Sequence, residues 1–167
     1  MEYMFLVAGA IAIVATLRVV TAMHPVHALL YLIVSLLAVA LVFFTLGAPF
    51  AAALEVIIYA GAIMVLFVFV MMMLNLGKAD AERERSWLSP GMWIGPAVLA
   101  GLLLIELAFI VAQGAGAPAV RQSVEPKAVG VALFGDYVLG VELASMLLLA
   151  GLVGAYHVGR RSADEAD

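Results

Sequence analysis

Long apolar runs, separated by short polar segments, make up most of the chain. A helix needs roughly 20 predominantly apolar residues to cross the hydrocarbon core of a membrane. Five runs meet or approach that length, at residues 3–17, 27–46, 50–76, 92–111 and 137–158. They are apolar on both faces, whereas the strands of a membrane β-barrel alternate apolar and polar residues. The pattern therefore predicts an all-α integral membrane protein with five transmembrane helices, forming one membrane domain over residues 1–167.

The polar segments between the runs differ greatly in length. Little more than the tripeptide "GAP" at 47–49 separates the second and third runs, so these two helices are expected to be antiparallel neighbours. The long connection is expected at 112–136, and a short charged tail follows at 159–167. We find no sequence repeat of the kind that marks the halves of a transporter, and five spans cannot form two equal halves. The chain is therefore expected to pack among other membrane subunits.

Composition supports a membrane protein and narrows its chemistry. Of the 167 residues, 66% are hydrophobic and only 12% are charged, against about 25% charged in soluble domains. The chain has no cysteine, so it offers no disulfide, thiolate metal site or iron–sulfur ligand of its own. Its net charge of -4 argues against a nucleic-acid partner. The first run lacks the basic start of a secretory signal and is expected to remain as a helix.

The basic residues predict the orientation, because loops rich in Lys and Arg stay on the cytoplasmic side. With the N-terminus outside, six of them lie inside and two outside. The inner set is Arg18, Lys78, Arg83, Arg85, Arg160 and Arg161, and the outer set is Arg121 and Lys127. The sequence therefore predicts a periplasmic N-terminus, an outside loop at 112–136 and a cytoplasmic C-terminal tail.

Three ionisable residues fall inside the predicted spans, where charged groups are costly. With the N-terminus outside, Glu55, Glu106 and Glu142 each lie in the outer half of the membrane, roughly 7–8 Å below the end of the helix. For Glu106 and Glu142 the simpler interpretation is that the carboxylates reach interfacial water or pair with a neighbouring subunit. Glu55 is the strongest candidate for proton transfer, and Glu142 is a further candidate.

Glu55 has a polar neighbour on its own helix. Tyr59 lies four residues on and therefore shares a face with Glu55 in a regular helix, and Ala52 and Ala62 extend the same stripe. Small residues there would admit water or another helix. Glu55 could then take up and release a proton that Tyr59 orients. The alternative is that Tyr59 is a packing residue with a satisfied hydroxyl.

The triplet Ala60, Gly61 and Ala62 suggests a weak point in the third helix. Local π adjustments are tolerated in membrane helices, often around Gly. One extra residue accommodated as a π-bulge would rotate everything beyond it by about 100° relative to a regular helix. The candidates for such a switch are Ala60, Gly61, Ala62, Ile63 and Met64. The alternative is that Gly61 only allows close packing.

No other residues form a recognisable catalytic or cofactor site. His24, His27 and His157 lie at helix ends, so a basic interfacial cluster is favoured over a pair of haem ligands. The sequence shows no Walker loop, no dinucleotide fingerprint and no nucleophile with its base. We predict no catalytic centre, no bound metal and no cofactor in this chain.

With these residues located, the chain resembles the NuoJ-type subunit, also called chain 6, of respiratory complex I, the proton-pumping NADH:quinone oxidoreductase. Its third run, "VIIYAGAIMVLFVFVMMMLN" at 56–75, is close to the signature of that family. The preceding stretch from "HPVHALLYLIV" at 24 and the stretch "LFGDYVLGVELASMLLLAGLVGAYHVGRR" at 133–161 also match. Together they cover about half of the chain, in the right order.

The resemblance implies a subunit of the cell inner membrane that carries no redox centre. Its expected partners are the NuoK-, NuoA- and NuoH-type subunits, the antiporter-like subunits and lipid, in an obligate hetero-oligomer. FMN, iron–sulfur clusters and quinone are expected in other subunits. The family has five helices with the N-terminus outside, in agreement with the charge count.

The resemblance also bears on the site. In the family the third helix carries a π-bulge beside the Tyr that matches Tyr59, and its rearrangement couples quinone reduction to proton translocation. The family often has Gln where this chain has Glu55, so the resemblance favours Tyr59 and the turn around Gly61 over Glu55. The residues themselves leave two other functions open. The chain could be a structural scaffold, or the equivalent subunit of a hydrogenase-linked or multi-subunit cation/proton antiporter complex.

Overall fold

The computed structural model describes residues 2–74, 90–114 and 123–164. These residues are helices and short connections, and five of the helices are long and apolar enough to cross a membrane. The all-helical prediction is therefore confirmed for the described part of the chain. The predicted end of the third helix at 76 and the basic residues Lys78, Arg83, Arg85 and Arg121 lie outside it. Internal contacts divide the chain into two units, residues 1–124 and 125–167, which are described separately.

The first unit begins with a helical hairpin. Helix α1 spans Glu2–Thr21 and helix α2 spans Pro25–Thr45, so α1 runs four residues beyond its predicted end at 17. The chain turns before Pro25, because the residue preceding a proline is disfavoured in helical geometry, and His24 is accordingly extended (φ −109°, ψ 123°). Proline suits the first position of α2, where its missing N–H would have no partner in any case.

A tight turn at 46–48 leads from α2 to the third helix. Gly47 has a φ of 83°, a conformation that glycine adopts at little cost. The N–H of Gly47 donates to the carbonyl of Phe44 at 3.1 Å, and the N–H of Ala48 donates to that of Phe43 at 3.0 Å. This pair of bonds is a Schellman cap, which satisfies the last carbonyls of α2. The predicted short connection between these two helices is confirmed.

The remaining helices of the first unit are α3 and α4. Helix α3 consists of three consecutive segments, Pro49–Leu54, Glu55–Ile63 and Met64–Leu74. Helix α4 spans Pro90–Gly114, close to the predicted 92–111. Helix α2 contacts α1, α3 and α4 and is therefore the central element of the unit.

The core of the first unit lies between α1, α2 and α4. Its buried side chains are Ala8, Ile11 and Ala15 of α1, Tyr31, Val34, Ala38 and Leu41 of α2, and Leu103 of α4. Alanines predominate on α1 because, without a hydrophobic driving force between helices in lipid, membrane helices associate through close approach of small residues. The backbones of α1 and α2 can therefore pack closely.

The second unit contains two helices. Helix α5 spans Pro126–Phe134 and helix α6 spans Val138–Asp164. No helix was predicted at 126–134, because its nine residues follow a polar stretch and are too few to cross a membrane. Helix α6 begins one residue after its predicted start and continues to 164, into the segment expected as a charged tail.

Candidate functional site

The middle segment of α3, Glu55–Ile63, is a π-helix. The N–H of Met64, just beyond it, donates to the carbonyl of Tyr59, five residues earlier in the chain. A regular α-helix bonds four residues back, and a shift to five marks a π turn. The predicted π-bulge in the third helix is therefore confirmed, and it covers the triplet Ala60, Gly61 and Ala62.

Gly61 faces the backbone inside this segment. A Cβ atom added at Gly61 would lie 3.1 Å from the carbonyl oxygen of Val56, the residue five positions earlier. Very few side chains in proteins accept a contact that close, so even an alanine would require the backbone to shift. A side chain at this position would therefore be tightly packed against the preceding turn of the π segment.

The side chains of the site change from buried to exposed along the segment. Ala52, just before it, is buried, Glu55 is half-buried, and Tyr59 is 50% exposed. Ala62 is exposed, and Met64 at the far end is only 2% exposed. The stripe expected from Ala52 to Ala62 is thus not a single face. The prediction of that stripe assumed regular α-helical spacing. The wider π turn moves the residues that follow it to a different side of α3.

Glu142 belongs to the second unit, near the start of α6. Its side chain is exposed, and its backbone carbonyl accepts a hydrogen bond of 2.7 Å from the Ser145 hydroxyl. The structure thus places Glu55, Tyr59 and the five switch candidates along one helix. Glu142 lies in the second unit, on α6.

Glu106 is the third acidic residue within the predicted spans. It lies in α4, is 8% exposed, and both of its carboxylate oxygens are buried without a hydrogen-bond partner among the described residues. The expectation that it reaches interfacial water or a neighbouring subunit stays a prediction. Glu106 follows the buried Leu103 by three residues, the spacing of side chains on one helical face.

The inward side of α2 carries a row of polar groups. His27, Tyr31 and Ser35 follow one another at intervals of four and so share a face. The rings of His27 and Tyr31 lie 4.9 Å apart, and His27 Nε2 is buried without a hydrogen-bond partner in the described chain. The Ser35 hydroxyl meets that of Thr16 from α1 at 2.7 Å. Sequence reasoning missed this row because it weighed His27 only with the other histidines and did not consider Tyr31 or Ser35.

No group of three or more His, Asp or Glu side chains suited to a metal ion occurs in the part of the chain that the structure describes. Among the histidines, His27 is stacked on Tyr31 and His157 lies in the second unit. The π segment carries a carboxyl and a phenol, those of Glu55 and Tyr59, on one helix.

Comparison with known proteins decides the family. The model of the family "NADH-ubiquinone/plastoquinone oxidoreductase chain 6" matches residues 15–158. The chain belongs to this family. It is 61% identical over 166 residues to NADH-quinone oxidoreductase subunit J of Pseudomonas aeruginosa, covering 99% of this chain and 100% of that protein.

Two further members of the family show how far the similarity extends. Subunit J of Escherichia coli (strain K12) is 61% identical over 160 residues, covering 96% of this chain and 87% of that protein. Subunit J of Buchnera aphidicola subsp. Schizaphis graminum is 46% identical over 160 residues, covering 96% and 98%. The π segment and both flanking helices lie within the matched region of the family.

Proposed function

We propose that the chain is the subunit J of a proton-translocating NADH-quinone oxidoreductase and that its third helix couples quinone reduction to proton translocation. In this mechanism α3 alternates between the π form and a regular α-helix around residues 60–64. The change makes or breaks a chain of water molecules past Tyr59. Glu55 holds a proton at the start of that chain, and Glu142 is a further proton-binding candidate.

The proposed setting is the cell inner membrane, with the N-terminus on the periplasmic side. The partners are the NuoK-, NuoA- and NuoH-type subunits and the antiporter-like subunits. FMN, iron–sulfur clusters and quinone are held by other subunits, so this chain contributes coupling and no redox chemistry. The identities of 46% to 61% with three subunit J chains support this assignment.

The observation that carries the coupling mechanism is the contact between Gly61 and the Val56 carbonyl oxygen. In the π form a Cβ at position 61 would lie 3.1 Å from that oxygen. In a regular helix the bond from residue 61 returns to residue 57, so Val56 no longer faces it. A side chain at 61 would therefore face a different carbonyl oxygen in each form, and we propose that this difference shifts the balance between the two forms of α3.

The substitution Gly61→Ala tests the mechanism. A clash costing about 1–2 kcal/mol would shift the balance between the two forms by a factor of roughly 5 to 30. We expect fewer protons translocated per NADH oxidised, with electron transfer from NADH to an artificial acceptor retained. Gly61→Val or Gly61→Leu should have a larger effect, because a bulkier side chain increases the clash.

Gly101→Ala is the matched control. Gly101 also lies in a membrane-length helix, but a Cβ there has no atom within 4 Å. Unchanged proton translocation in an assembled Gly61→Ala complex would contradict the switch. A loss of assembly and translocation in equal proportion would instead support a structural scaffold. Co-purification with hydrogenase or antiporter subunits, without flavin and iron–sulfur subunits, would point to a related complex.

A further inference from the structure

Glu106 is a carboxyl group enclosed by its own chain. Both of its oxygens are buried without a hydrogen-bond partner in the described residues, and the side chain is 92% buried when the chain is taken alone. The chain thus covers this carboxyl, but its described residues supply no hydrogen-bond partner for it.

The group points toward α1 and α2. Glu106 lies three residues after Leu103 and four before Ile110, and both of these pack in the core shared by α1, α2 and α4. Residues at those spacings occupy one face of a helix. The carboxyl therefore lies in the protein interior and away from lipid.

Charged groups that could balance an ionised Glu106 are missing from the described faces around it. On α1, the ionisable residues Glu2, Tyr3 and Arg18 are exposed. On α2, His27 and Tyr31 lie near the opposite end. On α3, Glu55 is half-buried and makes no hydrogen bond to Glu106. An ionised carboxylate without a partner is costly to bury, so the buried Glu106 is suited to hold a proton.

Helices α2 and α4 run in parallel, which places Glu106 along the axis of the polar row on α2. Gly95 of α4 lies against the Tyr31 hydroxyl. Leu103 and Leu107 of α4 line a common cavity with Leu41 and Phe44 of α2, further along both helices. Glu106 is eleven residues beyond Gly95, or about 16 Å at 1.5 Å per residue.

The polar row on α2, formed by His27, Tyr31 and Ser35, ends before it reaches the height of Glu106 along the helix axis. Ser35 lies four residues beyond Tyr31, or about 6 Å along the axis, and its hydroxyl meets that of Thr16. Roughly 10 Å then separates Ser35 from the level of Glu106, a distance that a few water molecules would span. The buried Ala38 and Leu103 lie in this interval. Movement of the Leu103 side chain would open it to water.

We infer that Glu106 is a second proton-binding site of this subunit, reached from the His27 end of α2 through the hydroxyls of Tyr31, Ser35 and Thr16. Its carboxylate takes one proton from water at that end of the helix and becomes the neutral acid. It returns the same proton when the interval beside Leu103 is hydrated. The inference rests on the proposed function only in requiring that the assembled complex moves protons.

Infrared difference spectra of the assembled complex, recorded between its oxidised and reduced states, test the site. A protonated carboxyl gives a carbonyl band that shifts in deuterium oxide, and we expect the wild-type complex to show such a band. It should vanish in Glu106→Gln and persist in Glu2→Gln, whose side chain is exposed. A spectrum unchanged by Glu106→Gln would overturn the inference.

A second pair of variants tests the route and guards against failed assembly. Ser35→Ala should leave the Glu106 band in place but slow its appearance severalfold after rapid reduction, because it removes a hydroxyl from the row. Equal rates in this variant and the wild type would refute the route. If Glu106→Gln does not assemble, Glu106→Asp should retain the band at a shifted frequency, and an unshifted band would refute the assignment.

These results are separable from those of the coupling mechanism. The Gly61→Ala variant leaves Glu106 and its surroundings intact, so its carboxyl band should remain even where coupling is reduced. Loss of coupling in Gly61→Ala with no Glu106 band would support the switch and exclude the second site. A Glu106 band with normal coupling in Gly61→Ala would support the site and exclude the switch.

Discussion

At the scale of single residues, glycines decide where helices of this chain can meet. Gly95 of α4 receives the hydroxyl of Tyr31, and a Cβ added to it would overlap that hydroxyl. Tyr31 is 93% buried, so its ring has little freedom to move aside. The absence of a side chain at Gly95 is therefore what permits the close approach of α2 and α4 at this end.

We predict that Gly95→Ala destabilises the packing of α2 against α4. Overpacking a filled interior costs about 1–3 kcal/mol, which should lower the thermal stability of the assembled complex and the amount recovered from membranes. Tyr31→Phe, made in the same chain, removes the hydroxyl and should restore part of the loss.

Gly101→Ala again provides the comparison, since it adds the same methyl group to α4 in open space. Equal stability of the Gly95→Ala and Gly101→Ala complexes would show that the absence of a side chain at Gly95 does not contribute to stability. A failure of Tyr31→Phe to restore stability would show that the clash does not involve the hydroxyl.

At the scale of elements, α3 joins two regular segments through a π segment. The wider turn accommodates one more residue than a regular helix needs to place Met64 on its face. Met64 is the largest fully buried side chain among the described residues. The π segment therefore ends at a firmly packed position.

We predict that deleting Ala60 converts this stretch to a regular helix and leaves Met64 on its buried face. The complex should assemble, oxidise NADH with an artificial acceptor, and translocate few protons per NADH. Removing the extra residue abolishes the π form, so no alternation remains. Assembly and both activities would be measured on the same membrane preparation.

The control deletion removes Val68 from the regular segment Met64–Leu74. It rotates the residues beyond it by about 100°, so we expect assembly itself to fail. If both deletions impair assembly equally, the extra residue of the π segment cannot be removed without disrupting the fold, and the prediction of normal assembly is contradicted. Normal coupling after deletion of Ala60 would argue against any role for the π form.

At the scale of the whole molecule, five spans of 20 to 25 residues carry few charges. The second unit consists of α5 and α6, and these two helices cannot by themselves cover a membrane-length helix on all sides. Taken by itself, the second unit therefore leaves faces of α6 uncovered, in agreement with a chain that works within a larger complex.

We predict a periplasmic N-terminus, and the chain is well suited to testing it because it has no cysteine. Met23, between α1 and α2, is 94% exposed, and Ser123, between α4 and α5, is also exposed. A membrane-impermeant maleimide should label Ser123→Cys in intact cells. It should label Met23→Cys only after the membrane is made permeable.

The unmodified chain is the background control, since any labelling of it would come from other proteins. Labelling of Met23→Cys in intact cells, with Ser123→Cys protected, would reverse the orientation proposed here. Labelling of both variants in intact cells would show that one of the intervening helices does not span the membrane.

The sequence alone determined the membrane class, the five spans and the family. Transfer of apolar side chains into lipid dominates these properties and depends on composition and length, both of which can be read along the chain. It also located the π segment, through the triplet Ala60, Gly61 and Ala62 and the family resemblance. The helix boundaries in the structure differ by a few residues from the predicted ones, because α1 continues through Arg18 and α6 continues into its polar end.

Only the tertiary structure decided which side of each helix is covered. Glu55, Glu106 and Glu142 have similar predicted depths, yet one is half-buried, one is enclosed and one is exposed. The π hydrogen bonding around Gly61 and the polar row on α2 likewise depend on backbone geometry and on neighbouring helices. Burial of a side chain is a property of the helices packed around it, and the position of those helices cannot be read from a single apolar run.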